Sequence, residues 1–268
     1  MSKGEEGSNT TKKGKSSVPA VEKALDVLEL LASAPDGLTM NEIVDALGRT
    51  MGEIYRVVVY LADRDYLSQN HQTGRYALTL RLFELSHRHD PTARLIHAAL
   101  PILERVAAAT NQSCHLGVLN RANVLVLASV HSPLPAGYSV RTGALFPVEQ
   151  TSSGHVLLAF SSNGAQDRYL ARLPASNRAV VQDRLTRIRE TGYEDTSSKM
   201  IHGVRNLCVP VFDTRGVTAA ITSGYIAQVG DAATAEQTLS KLRVSAVELS
   251  KSLGFRLAES PFEAVLKS

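Results

Sequence analysis

Three small residues, Ser152, Ser153 and Gly154, open a stretch whose next residues, HVLLAF, favour a helix. The backbone amides in the first turn of a helix have no partner inside the helix, and hydroxyl side chains add further donors. A carboxylate or another small anion is the ligand that such a helix start binds well. The alternative is that residues 151 to 154, TSSG, only cap the helix, and the sequence leaves both interpretations open.

A second group of polar residues lies near the N-terminus, where one pattern occurs twice. TMNEI begins at Thr39 and TMGEI begins at Thr50, eleven residues later. A threonine followed three positions on by a glutamate is typical of the capping box, in which each residue bonds the backbone amide of the other. Each copy therefore predicts the start of a helix. The spacing leaves room for about two turns of the first helix before the second begins.

These helices are part of a longer predicted order. An apolar stripe at three- and four-residue spacing predicts an earlier helix that starts near Pro19 and ends before residues 35 to 37, PDG. The second helix runs to Leu47, with Gly48 after it, and the third to about Arg64. The strand-like pieces YLSQ and RYALT flank the turn-rich NHQTG and predict a hairpin. Three helices and a hairpin are typical of a winged helix-turn-helix, whose third helix enters the DNA major groove.

The candidate DNA-binding residues lie on and around the third helix. Residues 1 to 80 hold nine Lys or Arg against eleven Asp or Glu, a net charge of −2, so DNA binding would depend on individually placed cations. Arg56 is the strongest candidate, although it could instead pair with Glu53 or Asp63. Glu53 is expected to cap the helix rather than to accept a hydrogen bond from a cytosine. The full set is Arg49, Thr50, Gly52, Glu53, Tyr55, Arg56 and, on the wing, Arg75.

The rest of the chain alternates strands and helices. Two helical segments are expected on either side of a break at Asp90–Pro91, and Pro101 is expected to kink the second. The β-prone runs CHLGVL and VLVLASV follow and suit an antiparallel pair. After them come two or three helices between 153 and 190, a second hairpin (VRNLCVPVF and VTAAITSGYI) and a final helix over about 232 to 253. This order predicts an α+β domain. The expected organisation is a disordered tail (1–17), the winged helix-turn-helix (18–80), linker helices (81–110), a ligand-sensing domain (111–256) and a C-terminal tail (257–268).

The residues that could support catalysis are poorly arranged for it. Cys114 and His115 are adjacent in an apparent strand, so their side chains should point to opposite faces, and His115 is expected in the core or a pocket. No nucleophile motif and no metal-binding spacing is present, so we expect no enzyme activity, cofactor or metal. Cys114 and Cys208 are expected to be packing thiols; a thiol redox sensor would require their Cα atoms to lie within roughly 7 Å. Without a long apolar run or a secretory signal, a cytoplasmic location is expected.

Several motifs in both halves resemble those of IclR-type bacterial transcriptional regulators. They are VEKALDVLELLA, GLTMNEIVDALG, IYRVVVYLADRDYL, TGRYALTLRLFEL, CHLGVL, TSSGHVLLAF, IRETGYE and GVRNLCVPVFDTRGVTAAITSG. The resemblance covers residues 18 to 254. The resemblance implies an N-terminal winged helix-turn-helix and a GAF-like C-terminal α+β domain. It also implies a homodimer or homotetramer that binds palindromic operators in double-stranded DNA and senses a small organic acid.

The resemblance also implies an effector pocket. Phe146 would lie on the loop before the central helix, Ser152 and Ser153 at that helix's start, Asn206 on the GVRNL strand, and Thr222 and Ser223 on the last strand. His155 occupies the place where the family usually has a lysine, and residues 197 to 199, SSK, replace a usual acidic residue. The expected function is a ligand-responsive repressor of a catabolic operon, with activation as the alternative.

Overall fold

The computed structural model describes residues 18–88, 92–229 and 232–256. The chain divides into two compact units, residues 1–90 and 91–268. The tails predicted for residues 1–17 and 257–268, and the break predicted at Asp90, lie outside the described residues.

The first unit has the predicted order of three helices and a hairpin. The helices are α1 (Pro19–Ala32), α2 (Met40–Leu47), α3 (Met51–Asp63) and α4 (Arg81–Arg88), and the strands are β1 (Leu38–Thr39), β2 (Leu67–Gln69) and β3 (Arg75–Leu78). Strand β3 pairs with β2 in the predicted hairpin and also with β1, which the sequence did not predict because two residues show no periodicity. The core consists of Val27, Leu31, Ile43, Ile54, Val58, Leu61, Leu67 and Tyr76.

Both predicted capping boxes form at the helix starts. The Glu42 carboxylate accepts a hydrogen bond from the Thr39 amide at 2.8 Å, and the Glu42 amide donates to the Thr39 hydroxyl at 3.4 Å. Before α3, the Glu53 carboxylate accepts from the amide and the hydroxyl of Thr50, at 3.1 and 2.9 Å. Gly48, with φ at +61°, ends α2 in the left-handed conformation that glycine adopts without strain. These local contacts stabilise two helices that are too short to form on propensity alone.

The second unit is built around a six-stranded antiparallel sheet. Its strands are β4 (Cys114–Asn120), β5 (Asn123–Val130), β6 (Leu145–Pro147), β7 (Glu194–Ser197), β8 (Arg205–Asp213) and β9 (Gly216–Tyr225), in the order β6-β5-β4-β9-β8-β7. The central hairpins, β4 with β5 and β8 with β9, are those that the sequence predicted. The edge strands β6 and β7 were not predicted.

Helices cover both faces of this sheet. They are α5 (Ala93–Thr110), α6 (Ser152–Phe160), α7 (Asn163–Leu170), α8 (Ala175–Thr191) and α9 (Ala235–Ser252). Helices α5 and α9 pack on one face, and α6 and α8 on the other. The segment predicted as a linker is therefore divided: α4 belongs to the first unit, while α5 contributes seven buried residues, among them Leu103 and Val106, to the second. None of the described helices is both long and apolar enough to cross a membrane.

Candidate functional site

In the N-terminal half of helix α3, one side of the helix faces solvent. Ile54, Val58 and Leu61 are buried and hold the helix against the core. Gly52, Tyr55 and Arg56 are exposed, and Tyr55 keeps 54 % of its surface accessible. A side chain added at Gly52 would meet no atom within 4 Å, so this part of α3 is an open surface.

Arg56 is the exposed cation of this surface. Among the residues that the structure describes, it has no ion-pair partner, so neither of the expected carboxylates, Glu53 and Asp63, holds it. Glu53 instead contacts Lys23 of α1, with 2.9 Å between Oε1 and Nζ. The guanidinium of Arg56 is therefore free to bind an external anion.

Glu53 is a capping residue, as expected. The hydrogen bond from Lys23, followed by those from Thr50, lowers the pKa of Glu53 to about 2. A carboxylate already bonded to these two residues has little remaining capacity to accept a hydrogen bond from a base. Thr50, in turn, donates its hydroxyl to Glu53.

The other two predicted cations are held within the unit. Arg49 lies 3.4 Å from Asp26 of α1. Arg75 donates from both terminal nitrogens to the two carboxylate oxygens of Glu42, at 3.0 and 3.1 Å, and also to the Gly37 carbonyl at 2.8 Å. The structure therefore places Arg75 where the hairpin meets α2. Contact of Arg75 with DNA stays a prediction, and its observed contacts fix the hairpin to α2.

A small cavity lies in the second unit between the central strands and the start of α6. Its volume is about 40 Å³, room for roughly three water molecules. Its lining is a mixture of hydroxyl, amide and imidazole groups with apolar side chains, and among the described residues neither a lysine nor an arginine belongs to it. The lining residues are His115, Val124, Val126, Tyr138, Val140, Phe146, Gln150, Thr151, Ser152, Ser153, Ser198, Met200, Asn206 and Thr222.

Five of the predicted effector-binding residues come together in this lining: Phe146, Ser152, Ser153, Asn206 and Thr222. Phe146 lies on the edge strand β6, opposite Val124, and not on a loop. The interpretation of the residues that open α6 as a helix cap also holds, because the Thr151 hydroxyl accepts a hydrogen bond from the Gly154 amide at 3.1 Å.

Gly154 and Ser223 do not line the cavity. A Cβ at Gly154 would lie 2.4 Å from the Val148 carbonyl oxygen, so this glycine allows close packing and leaves no room for a ligand. Ser223 follows Thr222 on β9, and successive residues of a strand point to opposite faces. The Ser223 hydroxyl accordingly donates to the Ser113 carbonyl, at 3.0 Å.

A chain of buried polar groups leads from the cavity into the sheet. The hydroxyls of Ser153 and Thr222 are 2.9 Å apart, and Thr222 donates to the sulfur of Cys208 at 3.0 Å. Burial raises the pKa of Cys208 to about 12, so the sulfur is a neutral thiol. These contacts fix the Ser153 and Thr222 side chains in the cavity wall.

The two cysteines are not a redox pair. Cys114 on β4 and Cys208 on β8 lie on strands that flank β9, about two strand spacings or roughly 9 to 10 Å apart. They also belong to the cores on opposite faces of the sheet. A disulfide requires Cα atoms within roughly 7 Å. The alternative of a sensor based on these two thiols is therefore wrong, and both pack as buried thiols.

Comparison with known families assigns both units. The IclR helix-turn-helix domain family matches residues 20–71, and the bacterial transcriptional regulator IclR C-terminal family matches residues 91–251. The chain belongs to the IclR family. It is therefore a transcriptional regulator with a helix-turn-helix DNA-binding domain, and this family consists of regulators and not of enzymes.

Relatives of this IclR-family chain match nearly its whole length. The regulator XynR of Escherichia coli K12 is 27 % identical over 248 residues, which are 89 % of this chain and 98 % of XynR. The E. coli protein YiaJ, named a DNA-binding transcriptional repressor, is 23 % identical over 88 % of each chain. An IclR homologue from Microbacterium hydrocarbonoxydans, crystallised with 4-hydroxybenzoate, is 24 % identical with a TM-score of 0.76, covering 88 % of this chain and 99 % of its own.

This IclR-family protein has a buried polar group directly behind the cavity that the sequence did not predict. His155 of α6 and Glu194 of β7 are 2 % and 3 % exposed. One carboxylate oxygen of Glu194 faces His155, and the other accepts a hydrogen bond from Arg184 of α8. Ser152, which lines the cavity, has a buried hydroxyl close to this group, and it is among the side chains that oppose the rise in the pKa of Glu194. The sequence does not indicate that Glu194 is buried, because the residues of β7, EDTS, are typical of a polar surface segment.

Tyr138 is another lining residue that the sequence did not reveal. A Cβ at Gly224 of β9 would lie 2.5 Å from the Tyr138 ring, so this glycine lets the ring lie close against the strand. Glycine inside a strand often marks such an approach, and Gly224 in ITSGYI was therefore a usable signal.

Proposed function

We propose that this IclR-family protein is a repressor of a catabolic operon that responds to a small organic acid. It would act in the cytoplasm as a homodimer or homotetramer on a double-stranded DNA operator. The observation that carries the proposal is the cavity at the start of α6, where five of the residues expected to bind the effector meet. In this proposal residues 18–80 bind DNA and residues 111–256 bind the effector.

The cavity favours a small monoanion. The amides of Ser152 and Ser153 are in the first turn of α6, where the helix leaves donors unpaired and its dipole favours negative charge. Asn206 and Thr222 supply further polar groups, and no cationic side chain among the described residues lines the space. The volume accommodates an acid of few non-hydrogen atoms, and a larger acid would have to displace side chains. The Microbacterium protein binds 4-hydroxybenzoate, and this ligand is not assigned to the present chain.

The proposed DNA contact is the exposed side of α3. Arg56 and Tyr55 would reach base edges or phosphates, while Gly52 allows close approach of the helix. Thr50 and Glu53 would act by fixing the start of α3. Arg49 and Arg75, which have partners within the unit, would contribute at most phosphate contacts.

Control of DNA binding follows from the oligomer. Two recognition helices in one assembly must match half-sites about one helical turn apart. An acid that binds one arrangement of the sensing domains more tightly would shift the spacing of these helices. The name of YiaJ supports repression as the direction, and activation is the alternative outcome of the test.

The proposal is tested in two steps with the full-length protein. Selection from sheared genomic DNA at moderate ionic strength should enrich a palindromic duplex, and thermal-shift measurements should then find a small aliphatic or aromatic carboxylate that stabilises the protein. Expression of a reporter from the enriched promoter should rise when that acid is added. Enrichment of no duplex with and without acids would contradict the proposal, and a reporter that falls on addition of the acid would show an activator.

A further inference from the structure

A second cavity of the C-terminal unit lies beside α7 and shares no lining residue with the first. Its volume is about 350 Å³, within the lower range of small-molecule sites. It lies between the β4–β5 turn, α6 and α7. The lining residues are Leu119, Arg121, Ala122, Val148, Leu158, Ala165, Arg168, Tyr169 and Arg172.

Three arginines surround this cavity. Arg121 comes from the β4–β5 turn, Arg168 lies in the last turn of α7, and Arg172 lies two residues after the end of α7. All three are exposed, and in the described part of the chain none has an ion-pair or side-chain hydrogen-bond partner. Glu149 is a nearby acidic group, whose charge acts on Tyr169. The lining itself holds three arginines and, among the described residues, no carboxylate, which gives it an excess of positive charge.

The hydroxyl of Tyr169 is the second independent observation. Its oxygen is buried and has no hydrogen-bond partner among the described residues, although the side chain lines the cavity. Buried hydroxyl groups of tyrosine usually find a partner, because leaving one unsatisfied costs free energy. Because solvent does not reach this oxygen, an acceptor atom of a ligand in the cavity would satisfy the donor only after the Tyr169 ring turns towards the cavity.

The apolar lining completes the description of the ligand. Leu119, which is partly exposed, offers a surface to a part of the ligand that carries no charge, together with the small exposed parts of Val148 and Leu158. A guanidinium presents paired donors that match phosphate oxygens. The aliphatic side chains favour an organic phosphate over the phosphates of DNA, because the DNA backbone has no apolar group of this size to place against them.

We propose that this cavity is a second ligand site, which binds a small organic phosphate. Arg121, Arg168 and Arg172 hold the phosphate, Tyr169 donates to one of its oxygens, and the aliphatic side chains contact the organic part. The site is separate from the proposed acid-binding cavity, so it would give the regulator a second chemical input.

Isothermal titration of the full-length protein with phenyl phosphate, at constant ionic strength, tests this site. The wild type is expected to bind with a Kd below about 1 mM. The double variant Arg168→Gln with Arg172→Gln should weaken binding at least tenfold, and Tyr169→Phe should weaken it severalfold. The matched control, Lys241→Gln with Lys251→Gln, removes the same charge from the exposed side of α9 and should bind as the wild type does.

Two outcomes would overturn the proposal. One is the absence of saturable binding by the wild type. The other is an equal loss of affinity in the arginine and lysine variants, which would show a general effect of charge. Inorganic phosphate serves as a second probe: it should bind more weakly than phenyl phosphate, and equal affinities would remove the role assigned to Leu119, Val148 and Leu158. Thermal melting of each variant shows that it is folded, and failure of this site leaves the proposed regulatory function unaffected.

Discussion

Nδ1 of His155 lies 3.7 Å from Oε2 of Glu194, and both side chains are buried. Burial, reinforced by the positive charge of Arg184, lowers the pKa of His155 to about 3. Burial also raises the pKa of Glu194, and the hydrogen bond from Arg184 opposes this rise. The ion pair behind the cavity is therefore that of Arg184 with Glu194, beside a neutral imidazole.

This arrangement predicts a pH dependence of stability. The pKa of His155 falls from its usual 6.5 to about 3 on folding, so between these values the unfolded chain binds more protons. The free energy of unfolding must then decrease as the pH falls through this window. Between pH 7 and pH 5 the wild type should lose on the order of 1 to 2 kcal/mol more than His155→Gln does.

Urea unfolding of both proteins at the two pH values measures the difference. Glu194 and His115 are present in both proteins, so their contributions largely cancel. If the free energy of unfolding changed equally with pH in the wild type and in His155→Gln, the pKa of His155 would not be shifted by folding.

Removal of Arg184 should be costly, because it leaves the buried Glu194 carboxylate unpaired. Arg184→Leu is expected to reduce the free energy of unfolding by roughly 3 to 5 kcal/mol. The double variant Arg184→Leu with Glu194→Leu should recover most of this loss, since no charge remains unpaired. Denaturant unfolding of the three proteins compares them. If Arg184→Leu were as stable as the double variant, the ion pair of Arg184 with Glu194 would not contribute to stability.

Gly154 should tolerate no side chain. Its Cβ would lie 2.4 Å from the Val148 carbonyl oxygen, while a Cβ at Gly164 of α7 would meet only the end of Arg168, at 3.6 Å. Gly154→Ala should therefore destabilise the protein by about 1 to 3 kcal/mol. Gly164→Ala, the matched control in another first helical turn, should be neutral or stabilising by up to about 1 kcal/mol. Equal melting temperatures of the two variants would contradict this packing.

Arg56 should matter for DNA affinity and not for stability, because it is exposed and has no ion-pair partner in the part of the chain that the structure describes. Arg56→Ala should weaken binding to the selected operator by about 1 to 3 kcal/mol if it reads a base, with a smaller, sequence-independent loss if it only contacts phosphate. Arg64→Ala, at the far end of α3, is the control and should bind almost as the wild type does. Fluorescence anisotropy gives both affinities, and unchanged binding by Arg56→Ala would remove this residue from the interface.

The elements that the sequence predicted are those whose signals are local. The capping boxes at Thr39 and Thr50 and both hairpins of the C-terminal sheet depend on neighbouring residues and were found. The edge strands β6 (LFP) and β7 (EDTS) show no apolar alternation, because they are short and pair on one side only. The apolar positions of α5 were visible, but only the fold shows that they face a sheet formed later in the chain.

The candidate site was predicted only in part for the same reason. Ser152 and Ser153 were accessible to reasoning from the residues, and Asn206 and Thr222 followed from the resemblance. Glu194 and Arg184 meet His155 only through the packing of α6, α8 and β7, which no local pattern indicates. The partners of Arg75 likewise come from α2, more than thirty residues earlier in the chain.

The most direct test of the regulatory function is the affinity for the selected operator, measured by anisotropy with and without the stabilising acid. The wild type should change its affinity at least tenfold on adding the acid. Ser153→Leu, which fills the cavity, should bind the operator as the wild type does and lose the response, whereas Ser223→Ala, beside Thr222 but facing away from the cavity, should keep it. A wild type whose operator affinity is insensitive to every acid that it binds, or a Ser153→Leu protein that responds like the wild type, would contradict the account.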